Sequence, residues 1–363
     1  MSVLAAIAVL GLLIVVHELG HFAAARLQKI YVNRFSIGFG PTLLKYQGSQ
    51  TEYAIRAFPL GGYVGFPDED PDSTIPPEDP NLLSNRPVLD RAIVISAGVV
   101  ANLIFAYFLL VGQAATIGFQ EINPQPGVLV PQVLEETNSA AMQAGIEAGD
   151  VILKVGDRDL GESAPALETL RTIIQKSPEQ PLELEISRKG EVMPLTVTPQ
   201  AGRDGKGKIG VMLAPNGEVV RRRAENIIAA FTSSANEYQR IAQLTARGFW
   251  QLISNFGENA EQVAGPVAIV AVGAELASNN VSNLFQFGAL ISINLAIINI
   301  LPLPALDGGQ LAFLAVEGIR GKPIPSKIQE SIMQTGLVLL LSLGVFLIVR
   351  DTVNLAFFQE LFQ

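Results

Sequence analysis

Val3 to Ala25 reads Val-Leu-Ala-Ala-Ile-Ala-Val-Leu-Gly-Leu-Leu-Ile-Val-Val-His-Glu-Leu-Gly-His-Phe-Ala-Ala-Ala, and it contains the only two histidines of the chain, His17 and His21. A bilayer span needs about 20 apolar residues, so this stretch reads as a transmembrane helix. Helical residues four apart share one face. Both imidazoles can therefore reach one metal ion, and Glu18 between them can hold a water on it, the arrangement written His-Glu-x-x-His. Ionisable groups are costly in hydrocarbon and mark function there by default. The plain alternative is two polar residues packed against neighbouring helices.

The rest of the composition fits a membrane chain. Of 363 residues, 49% are hydrophobic and only 16% charged, which is low for a soluble protein. Cysteine is absent, so disulfides and thiolate ligands are excluded and His and carboxylate remain as metal ligands. A formal net charge of −9 argues against nucleic acid, and Arg221-Arg222-Arg223 is the one basic run, suited to flanking an interfacial helix. Met1-Ser2-Val3-Leu4 lacks the positive region of a signal peptide, so the first helix, about 3–25, is expected to be retained. No transit peptide is recognisable, which favours a bacterial plasma membrane over a thylakoid or plastid membrane.

Three further spans are expected at about 92–117, 284–301 and 333–349. A shorter apolar patch, Val263 to Ala277, contains Gly-Pro and Glu275 and reads as a packed or re-entrant segment. Arg26, Lys29, Arg34, Lys45, Arg56, Arg86 and Arg91 lie between spans one and two, and Arg320, Lys322 and Lys327 between spans three and four. Positive loops stay cytoplasmic. This puts the histidines in the cytoplasmic half of the membrane and the long segment between spans two and three outside.

That segment changes character. Gly127 to Val130, Val151 to Val155, Leu182 to Ile186 and Met193 to Val197 have strand patterns, while Ser139 to Ala144 and Ala166 to Lys176 are helical. Residues 120–203 thus form a soluble α+β unit. Ala140-Ala141-Met142-Gln143-Ala144-Gly145-Ile146, followed by Gly149-Asp150-Val151-Ile152, resembles a PDZ domain of the bacterial protease type. Such domains take a peptide by strand addition and capture its carboxylate on backbone N–H groups. By that resemblance Gly127 and Val128 belong to the carboxylate cradle; a small domain with no peptide ligand is the alternative.

Residues 34–66 alternate and are rich in glycine, which suggests a membrane-associated β-hairpin region pressed against the helix ends. An edge strand there could pair with an unwound substrate, or the hairpins could be purely structural. Asp68 to Asp79 reads as a solvated loop. Residues 204–262 are expected to be a linker with amphipathic helices, in which Trp250 either sits at the membrane interface or packs on the soluble unit. The fold class is a multi-pass α-helical membrane protein with an inserted PDZ-like α+β domain. The helical membrane core is split between 1–119 and 263–363.

Two histidines leave a catalytic zinc one ligand short. Asn299-Ile300-Leu301-Pro302-Leu303-Pro304-Ala305-Leu306-Asp307-Gly308-Gly309 follows the third span and offers Asp307. On spacing alone Asp307 is a ligand or a helix N-cap, with Glu275 and Asp351 as rivals. The pairing of His-Glu-x-x-His with a distant Asn-x-x-Pro-x-Pro-x-Leu-Asp-Gly resembles the site-2 protease family of intramembrane zinc metalloproteases, closest to the bacterial regulator of sigma-E protease group. Ser36-Ile37-Gly38-Phe39-Gly40-Pro41, Gly61-Gly62-Tyr63-Val64, Ser96-Ala97-Gly98 with Asn102, and Gly265-Pro266-Val267 extend the likeness across the chain.

The resemblance implies one zinc per chain held by His17, His21 and Asp307, with Glu18 as general base. It also implies that Asn299, Gly98 and Asn102 lie close to substrate. The implied substrates are single-span membrane proteins, such as a trimmed anti-sigma factor or remnant signal peptides. A single PDZ-like unit stands where the best-known bacterial relative has two. Two other readings stay open: a zincin-type protease acting at the membrane surface, and a peptide-binding adaptor with a structural metal.

Overall fold

The computed structural model describes residues 2–70, 72–134, 139–202, 205–255, 257 and 263–361. The described chain divides into two units, one formed by Met1–Ile117 with Arg223–Gln363 and the other by Gly118–Arg222.

In the first unit, four helices are long and apolar enough to cross a membrane. They are α1 (Ser2–Leu27), α2 (Val88–Thr116), α7 (Asn283–Ile300) and the Ser326–Val353 part of α9 (Ser326–Leu361). Helix α2 starts directly after Pro87, whose ring removes a donor the first turn does not need, and Asp90 lies in its first turn. Lipid gives apolar helices no hydrophobic reason to associate, so close packing of small residues matters. Gly20 on α1 provides it: a Cβ there would overlap the Ala97 carbonyl and stand 2.7 Å from the Ala101 Cβ on α2. Between α2 and α7 the buried Ser292 hydroxyl donates to the Asn102 carbonyl at 2.8 Å.

The short apolar patch forms α6 (Pro266–Asn279), in which Gly273 fits against Ala6 of α1 and Phe287 of α7. Helix α5 (Ile227–Ser254) packs on α2 and α7. Tyr107 donates to the Phe231 carbonyl at 3.0 Å, and the Gln286 amide to Glu237 at 3.0 Å. Trp250 on this helix is exposed.

Residues 34–66 form two long bent strands, β1 (Arg34–Gln47) and β2 (Glu52–Gly65), and each is used twice. Residues 34–37 pair in parallel with 52–55 and antiparallel with 62–65, while 42–47 pair antiparallel with 52–56. The result is a four-stranded sheet ordered 42–47, 52–56, 34–37, 62–65. Gly38 and Gly40 adopt φ of 88° and 84°, which β-carbons disfavour, and they allow the bend in β1. Arg56 spans the bend through the Ser36 hydroxyl at 3.0 Å and the Gly40 carbonyl at 2.9 Å. The sheet packs on α1 through Phe22, Phe35 and Tyr53, and a buried cluster of Ala25, Ile30, Val32, Phe66 and Val94 ties it to α2 as well.

The second unit has a sheet ordered β10-β3-β4-β6-β7, with β5 (Arg158–Asp159) paired to β4. The strands are β3 (Phe119–Val133), β4 (Val151–Val155), β6 (Leu182–Arg188), β7 (Glu191–Val197) and β10 (Val211–Arg222). Two-residue strands β8 (Gln200–Ala201) and β9 (Gly207–Lys208) pair with each other. Helix α4 (Ser163–Lys176) buries Ala166, Leu170 and Ile174 in a core with Val128, Val130, Ile152, Leu184 and Ile186. The short α3 (Ala140–Ala144) is capped by Ser139 and stopped by Gly145 at φ 76°. Strand β10 falls in the stretch expected to be linker. It pairs with β3 from Val211 opposite Val133 to Arg222 opposite Phe119, so the sheet continues past residue 203.

Candidate metal centre

Helix α1 sets His17 and His21 one turn apart, and α8 (Asp307–Arg320) begins with Asp307. The His17 and His21 Nε2 atoms are 3.2 Å apart, and Asp307 Oδ2 lies 3.2 Å from the first and 3.5 Å from the second. Tetrahedral zinc with ligand bonds of about 2.0–2.1 Å places ligand atoms about 3.3 Å from one another. Asp307 Oδ2 is also buried without a hydrogen-bond partner, which is costly for a carboxylate oxygen unless a cation accounts for it. The donor set of two imidazoles and one carboxylate suits zinc, and these are the residues that would hold it. Among the described residues this is the one His/Asp/Glu group close enough to share an ion.

The rival readings of Asp307 meet specific geometry. The cap position of α8 is Leu306, and Asp307 turns its carboxylate to the imidazoles. Asp351 is occupied elsewhere: it accepts from the Ala268 N–H at 3.0 Å and caps α6. Glu275 is exposed on α6. The loop before Asp307 is held tightly, because a Cβ on Gly308 would overlap the Leu301 carbonyl and one on Gly309 the Leu303 carbonyl. Ala305, at φ 68°, turns its N–H to the Met333 sulfur at 3.3 Å.

Gly98, Asn102 and Asn299 all reach the histidines. A Cβ on Gly98 would overlap His21 Nε2 and lie 2.7 Å from His17 Cε1. The fully buried Asn102 puts its amide 3.3 Å from His17 Nδ1, and Asn299 puts its amide 3.4 Å from His17 Nε2. His21 Nδ1 donates to the Val94 carbonyl at 2.9 Å. Val94 was not visible in the sequence, since a backbone carbonyl carries no side-chain signal. Strand 62–65 passes beside Glu18: a Cβ on Gly62 would stand 2.8 Å from Glu18 Cγ and 2.8 Å from the Ser36 carbonyl. One edge of this strand pairs with 34–37, and no other strand pairs with it among the described residues.

Gly127 and Val128 lie in the second unit, inside its sheet. Val128 is buried and pairs with Pro215 of β10 and Ile152 of β4, and the Gly127 N–H donates to the Gly161 carbonyl at 2.8 Å. Both edges of β3 are taken at this point, so no peptide can add there. The outer strands of the sheet are β10 and β7.

A profile of Peptidase family M50 matches residues 5–343. A Synechocystis protein named as a zinc metalloprotease is 63% identical, with 99% of this chain and 97% of that one covered. A similarly named Nostoc protein is 60% identical over the full length of both. The chloroplastic membrane metalloprotease ARASP of Arabidopsis thaliana is 49% identical over 99% of this chain and 80% of its own. The chain belongs to peptidase family M50 and is a zinc metalloprotease of the membrane.

Proposed function

We propose that this metalloprotease hydrolyses peptide bonds in or beside the transmembrane segments of single-span membrane proteins, with His17, His21 and Asp307 as zinc ligands and Glu18 as general base. The observation that carries the reading is the convergence of three ligand atoms within 4.8 Å, two of them on a helix apolar enough to cross a membrane. The charge asymmetry of the loops supports an active site in the cytoplasmic half.

Bound zinc supplies Lewis acidity, polarising a carbonyl and acidifying water. Glu18 takes the proton of the attacking water and returns it to the leaving amine. Asn299 binds the substrate backbone near the reacting carbonyl, a role supported by its amide lying 3.4 Å from His17 Nε2. A helical substrate hides its carbonyls in its own i→i−4 bonds and must unwind locally to react. The unpaired edge of 62–65 supplies replacement hydrogen bonds next to Glu18, so the extended substrate adds to the sheet as a strand. The second unit is PDZ-like and takes a peptide by strand addition along β10, since β3 is enclosed.

Zinc content and cleavage of a single-span test substrate, measured on the purified full chain, test the assignment. Glu18→Gln keeps zinc at wild-type stoichiometry and loses about 10²–10⁴-fold in cleavage rate. Asp307→Ala loses zinc. Zinc at full occupancy in Asp307→Ala overturns the ligand set, and undiminished cleavage by Glu18→Gln overturns the base and favours an adaptor.

A further inference from the structure

Val94, Gly98 and Asn102 follow one another at intervals of four along α2 and so present one face to α1. The face offers, in order, a backbone carbonyl to His21 Nδ1, a gap for the two rings and an amide to His17 Nδ1. An imidazole binds a metal through the nitrogen that carries no proton, and the proton must then sit on the other nitrogen. For His21 the requirement is met: Nδ1–H donates to Val94, and Nε2 is free for the cation.

For His17 the choice rests with Asn102. An asparagine amide can turn either its oxygen or its NH2 to a neighbour. With NH2 toward His17, Nδ1 must be the acceptor and the proton falls on Nε2, the atom that faces His21 and Asp307. In that arrangement Asn102 Oδ1 is buried with no partner, in a side chain with no exposure. A half-turn of the amide corrects the tautomer: Oδ1 then accepts Nδ1–H and His17 Nε2 presents its lone pair to the cation, while the NH2 takes the unpartnered side in place of Oδ1.

We infer that Asn102 is a positioning residue that fixes His17 in its metal-binding tautomer by accepting the Nδ1 proton, and that it does not contact substrate. The backbone of Asn102 is itself held by the Ser292 hydroxyl, which keeps the acceptor at a fixed height on α2. The inference rests on His17 being a zinc ligand.

The test is zinc affinity of the purified full chain, read by competition with chelators of graded strength and with no activity measurement. Asn102→Leu, which fills the space and accepts nothing, weakens zinc binding by about 10–100-fold. Asn102→Asp, which can only accept, restores affinity to the wild-type level or better. Wild-type affinity in Asn102→Leu overturns the inference. So does a loss in Asn102→Asp as deep as in Asn102→Leu, because a donor role would be lost in both. If Asn102→Leu does not fold, Asn102→Asp alone decides between acceptor and donor. Thermal unfolding of the zinc-free proteins separates a packing defect, which lowers the melting temperature without metal, from a ligand-orienting one, which leaves it unchanged. His17→Ala is the control for the underlying assignment: if it retains zinc, the ligand set has failed rather than the role of Asn102.

Discussion

Gly98 faces the rings of both histidines, and its lack of a side chain is what lets α2 approach them. A methyl group there would collide with His21 Nε2, so one ring must rotate away from the position that faces Asp307. Gly98→Ala is therefore expected to lower zinc affinity about 10–100-fold, the usual effect of disturbing what supports a ligand. Metal analysis after dialysis against a weak chelator checks this, and full retention of zinc would show that the rings have room to move. The histidine pair was legible because the helical period alone puts positions 17 and 21 together. The neighbours of the rings were not. That Gly98 and Asn102 touch the imidazoles follows from the register of α1 on α2, which is set by Gly20 against Ala97 and which neither helix reveals alone.

The curled sheet of β1 and β2 brings backbone to Glu18. Strand 62–65 is pinned by its pairing with 34–37, and Gly62 lies between the Ser36 carbonyl and the Glu18 side chain. Any β-carbon at this position must displace either the strand or the carboxylate. A shift of about 1 Å in a catalytic group can cost about 10²-fold in rate. Gly62→Ala should therefore reduce turnover by about that factor while leaving zinc stoichiometry unchanged, which cleavage assays paired with metal analysis would reveal; loss of zinc as well would mean that the strand also supports the ligands. Alternation along 34–66 pointed to strands, but a period of two cannot show that one strand is paired twice. Strand β10 was missed for a related reason. Its partner β3 lies some 90 residues earlier, and the Pro215 and Gly217 in its middle read locally as loop.

The molecule has two units, each with its own buried core, and acid acts on the second through an identifiable contact. Asp150 is buried, and burial alone would raise its carboxyl pKa. The Arg188 guanidinium, at 2.7 Å from each carboxylate oxygen, and the Glu147 N–H at 2.8 Å outweigh that and hold it below the usual carboxylate range. In the unfolded chain Asp titrates near about 3.9. A carboxyl whose folded pKa is the lower one adds stability that is fully present above the unfolded value and is lost as pH falls through the folded one. Strands β4 and β6, which this contact joins beside the Val151–Ser187 pair, should thus lose protection as pH drops below about 4. Asp150→Asn should cost about 1–3 kcal/mol at neutral pH, the usual penalty for a lost hydrogen bond to a charged group, and flatten that acid dependence. Hydrogen-exchange protection of peptides covering 145–155 and 182–188 in the full chain, corrected for intrinsic rates at each pH, is the measurement. If the Asp150→Asn variant keeps the wild-type fall in protection with acid, the lability of these strands comes from a carboxylate other than this one.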